Sequence, residues 1–162
     1  MMKKFSILLV SIIFLNSCSS YYSSVSLEKI SSQKKLTAEK FAQTLFKKCR
    51  EKDYSEFKGF NISKQFEMFL VKDSLKKQCE KIEKKYGNIT VLKLTSAHTA
   101  KHPQDIMDVL NFNITTEKIS KPLFLHIGMH RDQDFVDRPF VINDFENYFD
   151  YKLKQYRKSK KK

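Results

Sequence analysis

Four histidines stand in two pairs at i, i+4: His98 with His102, and His126 with His130. On a helix that spacing clamps a single metal ion. On a strand it leaves roughly 13 Å between Cα atoms, too far for two direct ligands to one ion without bending. Both pairs fall in segments with strand-like alternation, so they read as strand or strand-edge residues. His126, in mid-strand, is the one placed to titrate near neutral pH. Asp132, Asp134, Asp137, Asp144 and Glu146 form an acidic run beside Arg131 and Arg138. Calcium would suit such a run, but the Gly-punctuated spacing of an EF-hand loop is missing, so a loop with local ion pairs is expected. No GxSxG, HExxH, P-loop or dinucleotide glycine pattern occurs, and three glycines in the whole chain exclude phosphate-cradling loops. General acid–base work needs only one or two pocket residues that no linear spacing reveals, and Tyr54, His98 and His126 are the candidates for it. No catalytic residue, metal ligand or cofactor is assigned.

Three cysteines occur, at positions 18, 49 and 79. Cys18 closes a segment with a charged start (Lys3, Lys4), an apolar run from Phe5 to Leu15 broken by Ser6 and Ser11, and small or polar residues after it. Eleven helical residues reach roughly 16 Å, about half the ~30 Å hydrocarbon core, so a cleaved signal fits better than a permanent span. The Leu15-Asn16-Ser17-Cys18 stretch resembles the lipobox of bacterial lipoproteins. That resemblance implies a thiol alkylated with diacylglycerol, cleavage after residue 17, and a chain held at the membrane by lipid on Cys18. An ordinary secretory signal with an incidental cysteine is the alternative. Ser19 in place of an aspartate leans towards the outer membrane, on its periplasmic side, as the place within the cell envelope. In such a compartment disulfides persist. Cys49 continues the stripe Phe41-Leu45-Cys49, and Cys79 lies in Leu75-Cys79-Ile82-Tyr86, so both thiols face the interior from helices that should pack together. A disulfide between them, or two buried free thiols, are the two expectations. The bond would add on the order of 3 kcal/mol by closing the loop.

Removing residues 1–17 takes away two lysines and no acid, lowering the net charge from +13 to +11. Seven basic residues lie between Lys152 and Lys162 with no acid among them, which leaves about +4 for the rest. The expected domain, residues 36–149, is therefore only mildly basic, and residues 150–162 read as a basic tail. Such a tail suits an anionic lipid or envelope polymer, or is simply a solvated end. Nucleic acid is not expected, because no aromatics interleave with the terminal lysines and no recognition motif is present.

Residues 18–35 are serine-rich with no apolar period and read as a tether of a little over 20 Å, at roughly 5–6 Å × √n. Thr37 then looks like a helix cap, with the helix running to about Lys52. A second short helix is predicted from Ser63, where Phe66, Phe69 and Leu70 recur, and a third from Asp73 or Ser74 to Tyr86 with Gly87 as its cap. After Gly87 the period changes to 2, predicting strands at about 88–100, 107–117, 121–130 and 137–146, joined by turns short enough for an antiparallel meander. In the third of these, Leu123, Leu125, Ile127 and Met129 share the face that must pack on the helices. Phe124, His126, Gly128 and His130 share the other, which would meet water or a partner. The aromatic surplus (Phe41, Phe46, Phe57, Phe60, Phe66, Phe69) builds the core, with a ligand pocket as its second use.

Helices followed by a four-stranded meander make an α+β fold in which helices cover one side of a curved sheet. The segments Phe41-Ala42 to Lys52-Asp53-Tyr54, Phe57 to Phe60, and Leu75 to Tyr86-Gly87-Asn88-Ile89 resemble the nuclear-transport-factor-2-like superfamily, and in particular its small bacterial lipoproteins. The resemblance implies a cone with a cavity between helices and sheet, and a homodimer formed through sheet faces. It implies no particular chemistry. Two functions follow as expectations: a non-enzymatic module that binds a protein, peptide or small apolar ligand at the envelope, or a small isomerase or hydrolase with acid–base residues in the cavity.

Overall fold

The computed structural model describes residues 22–100 and 106–161, with elements in the order β1 (Tyr22–Val25), α1 (Ser32–Glu51), α2 (Lys64–Leu70), α3 (Lys72–Tyr86), β2 (Ile89–Ala100), β3 (Met107–Thr116), β4 (Leu123–His130), β5 (Val136–Asn143) and α4 (Tyr148–Ser159). The fold is α+β, and the sheet is an antiparallel meander in the order β1-β2-β3-β4-β5. It has five strands where four were expected, because Tyr22–Val25, within the stretch read as tether, pairs along Ala97–Ala100. Four residues, two of them serine, are too few to display a period of 2.

The first helix also begins earlier than Thr37. Ser31 Oγ accepts the backbone N–H of Lys34 and caps the helix, and a 3-10 turn at Leu27–Lys29 leads into it. The apolar stripe Ala38-Phe41-Ala42-Leu45 is extended one turn towards the N-terminus by Lys34, a buried cation in an otherwise apolar row. That substitution hid the first turn. Lys34 Nζ is satisfied by Asp108 at 3.3 Å and by the Arg131 carbonyl, while Arg131 Nε lies 3.6 Å from the other Asp108 oxygen, so the start of α1 is pinned to β3 and the end of β4. At its other end α1 stops at Lys52, in the left-handed region at φ 54°, and Lys48 Nζ reaches Asp53 at 2.8 Å and both oxygens of Ser55. That ammonium holds the Asp53 carboxyl far below the usual carboxylate range.

Helices α1 to α3 lie on one face of the sheet. Phe41 is fully buried at the centre, with the rings of Phe57, Phe60, Phe66 and Phe140 at 5.1, 5.5, 5.8 and 6.5 Å between centroids. Leu110, Phe112, Ile114, Leu123, Leu125, Ile127 and Met129 supply the sheet side, as the alternation of β3 and β4 requires. Cys49 and Cys79 are joined by a disulfide that ties α1 to α3 across a sequence separation of 30.

The other face is not left to water. Residues 150–162, expected as a basic tail, are largely helical: Asn147 Oδ1 accepts from Phe149 N and caps a helix that continues to Ser159. Its first turn seats Phe149 against the sheet, stacked on Tyr22 with ring centroids 3.2 Å apart. A row of lysines over a short apolar stripe concealed this helix from a reading by composition.

Candidate functional site

Two places bear on function: a buried polar network beneath α4, and an apolar cleft along β5 that reaches from α4 to α2. The network is made by strand register. Asn111 on β3 stands opposite His126 on β4 and Ser96 on β2, with His98 two residues further along. Asn111 Nδ2 donates to His98 Nδ1 at 2.9 Å and to Ser96 Oγ at 3.1 Å, and Asn111 Oδ1 accepts from His126 Nδ1 at 2.6 Å. This assigns the tautomers: His98 carries its proton on Nε2 and His126 on Nδ1. Nε2 of His126 and Nδ2 of Asn143 are buried without a hydrogen-bond partner. Burial pushes the His126 imidazole down to about 4, against the weaker opposing effects of Asn143 and the Phe145 backbone. His98 is lowered as well, first by burial, with Asp150 and Glu146 acting the other way. Tyr148 and Phe149 cover these rings, at 5.7 Å from His126 and 6.3 Å from His98.

The histidine pairing seen among the described residues runs across strands, not along them. His98 and His126 meet across strands through Asn111, while His130 sits at the far end of β4 beside Phe135 and accepts from Asp132 N at 3.3 Å. His102 lies outside the described residues. Tyr54 is half-buried against the helix-side core, whereas His98 and His126 face α4. Among the described residues no group of three or more His, Cys, Asp or Glu side chains converges to hold a metal ion. The acidic run is dispersed. Asp137 accepts from Ser63 Oγ at 2.7 Å, and Asp144 pairs with Lys121 at 3.0 Å, whose ammonium draws its carboxyl below the ordinary value. Arg138 lies over the Phe69 ring at 4.6 Å instead of pairing with a carboxylate.

The cleft, about 570 Å³, opens where β5 bends. Gly128 pairs with Asp137 and Ile127 with Phe140, so Arg138 and Pro139 are extra residues on β5 and form a bulge. Gly128 is required there: a Cβ would run into the Arg138 carbonyl. The bulge leaves a hollow walled by Pro139, Phe140 and Val141 of β5, by Met107 and Val109 of β3, by Phe66 and Phe69 of α2, and by Tyr148 and Phe149 of α4. Polar groups sit among these as Gln65, Gln78, Asp137, Arg138 and Lys152. Neither His98 nor His126 lines it. Phe66 and Phe69 belong to the aromatic set visible in the sequence. Asn111, Gly128 and the bulge do not announce themselves there, because their roles arise from pairing between strands.

Cys18 lies outside the described residues, and no described helix is long and apolar enough to cross a membrane. No protein-family model, curated protein or solved structure matches the chain.

Proposed function

We propose that the chain is a lipoprotein of the cell envelope, anchored through an acylated Cys18, whose domain binds a small apolar or amphipathic ligand, or an apolar peptide segment, without transforming it. The observation that supports this reading is the cleft at the β5 bulge. Its volume falls within the range of small-molecule sites, its walls are mostly aromatic and aliphatic, and a few polar groups fix orientation, which is the usual make-up of a binding site. His98 and His126, both lowered by burial, lie beneath α4 and do not line the cleft, and the cleft carboxylate Asp137 is engaged by the Ser63 hydroxyl, which favours binding over acid–base chemistry on a ligand. Helices packed on one face of a bent antiparallel sheet also fit a nuclear-transport-factor-2-like arrangement, with a fifth strand added at the N-terminal edge. Residence at the outer membrane, on its periplasmic side, is part of the same reading.

The test is to purify the full chain from its own membrane and identify by native mass spectrometry any small molecule that stays with it. Phe69→Asp and Val141→Arg, at the exposed and half-buried rim, should release that molecule without altering the unfolding curve. A ligand retained by both variants would remove the cleft from consideration. Labelling of the wild type, but not of Cys18→Ser, with a radioactive fatty acid checks the anchor.

A further inference from the structure

Helix α4 carries one apolar stripe. Phe149, Leu153 and Tyr156 fall at i, i+4 and i+7, on the same side of the helix. Phe149 is buried on the sheet, but Leu153 and Tyr156 further along the same stripe are 46% and 56% exposed. Leu153 and Phe145 floor a surface groove of about 480 Å³ whose rim carries Lys154, Arg157, Lys158 and Lys161. Lys154 and Lys160 lie over the rings of Phe145 and Tyr156 at 4.5 and 4.8 Å, so the cations border the apolar stripe directly. The only acid within the helix, Asp150, lines the same groove at its first turn, against four cations.

We infer that the exposed half of α4 is a membrane-docking surface, laid along an anionic bilayer with Leu153 and Tyr156 in the acyl boundary and the lysines and arginine among the phosphates. An apolar stripe with aromatic content, flanked by cations on a helix of low overall hydrophobicity, has the composition of an interfacial helix. The charge fits an anionic lipid surface, and the groove's hydrocarbon floor fits acyl chains, which a soluble polyanion does not supply. Chain reach agrees. Tyr22 stacks on Phe149, and Cys18 is four residues before Tyr22, so a lipid on Cys18 holds the Tyr22 backbone within about 14 Å of the lipid-bearing residue at full extension, with the base of α4 one stacked ring pair beyond. This last point rests on the proposed lipid anchor; the composition of α4 does not.

With Cys49 and Cys79 bonded and Cys18 acylated, Leu153→Cys, Tyr156→Cys and Gln155→Cys each offer a single thiol for an environment-sensitive fluorophore in the full chain. Each labelled protein is mixed with vesicles of phosphatidylcholine alone, or of phosphatidylcholine with phosphatidylglycerol, carrying a spin-labelled lipid as quencher. Probes at positions 153 and 156 should shift to the blue and lose most of their emission in the anionic vesicles only, with position 155 unaffected. The effect should vanish in about 1 M salt, where the screening length is ~3 Å, and in the combined variant Lys154→Glu, Lys158→Glu, Lys161→Glu. Flotation of the wild type with neutral vesicles reads the lipid anchor separately, so a failed anchor and a failed docking surface give different patterns. Absence of quenching at 153 and 156 in anionic vesicles overturns the inference. So does a blue shift without vesicles that grows with protein concentration, which would assign the stripe to a second copy. Binding to polyphosphate that leaves both probes unquenched by lipid would make α4 a general polyanion site, and would overturn it equally.

Discussion

On the face towards α1, α2 and α3 the sheet offers leucine, isoleucine, methionine and phenylalanine to a dry aromatic core, whereas on the face towards α4 it offers asparagine, serine and two histidines beneath a single helical turn. Both faces are buried, but they are buried differently. The first is mainly apolar, with the buried Lys34–Asp108 pair at the start of α1, so most of its contribution scales with the apolar surface removed. The second encloses polar groups that must be satisfied one by one, and it leaves His126 Nε2 and Asn143 Nδ2 without partners. The helix-side face therefore carries most of the stability, and the α4 face makes that stability depend on pH.

The sharpest way to break this contrast is Phe41→Ala. Four rings surround that side chain, and its removal should lower the unfolding free energy by about 3–5 kcal/mol in chemical denaturation. A loss below about 1 kcal/mol would mean the helix-side core is not the main support.

Next comes the pH profile. The His126 value falls from an ordinary 6.5 to about 4 on folding, so the unfolded chain takes up a proton first as pH drops. The His126 contribution is present in full above pH 6.5, declines between 6.5 and 4, and changes no further below, where Asp53 and Asp144, whose carboxyls are lowered by Lys48 and Lys121, carry any continued loss. The decline should be on the order of 3 kcal/mol at most for His126 alone, with His98 acting in the same direction. Urea melts across that window should show the slope in the wild type and a shallower one in His126→Gln. An unchanged slope in the variant would locate the pH sensitivity elsewhere.

Gly128→Ala tests the seam between the two faces. A methyl there meets the Arg138 backbone, which cannot swing aside as a side chain would, and overpacking of that kind is worth about 1–3 kcal/mol. The same variant should narrow the cleft and weaken retention of its ligand, read by native mass spectrometry. The smallest effect is expected from Lys121→Ala, which breaks an exposed ion pair with Asp144 and should change stability by less than about 0.5 kcal/mol. A larger loss would show that surface charge matters more here than either face of the sheet.

The helix-side half of this contrast was readable in the chain, and the α4 half was not. Alternation in Leu123, Leu125, Ile127 and Met129 assigns a buried face from sequence alone, and the stripes through Cys49 and Cys79 point two helices at each other. Ser63 and Gly87 mark helix ends where the structure has them, because caps are local chemistry. The expectation that Phe124, His126, Gly128 and His130 would face water or a partner overlooked α4, whose short apolar stripe is interleaved with lysines and an arginine. Lys34 misled in the same way: its charge looks like a solvated position until Asp108, 74 residues away, is placed beside it. The cleft depends on a bulge and on one glycine opposite it, and strand pairing is non-local information that no window of sequence contains.

The clasp between Tyr22 and Phe149 joins the first strand to the last helix. A protease that trimmed the C-terminus back past residue 148 would take away the ring that β1 leans on, leaving the strand to rely mainly on its ladder to β2 and the packing of Val25. Once β1 frayed, the long β2 would present a bare row of amide and carbonyl groups, a template onto which another chain's strand can zip. Loss of one short helix would in that way convert a self-contained domain into a seed for clumping.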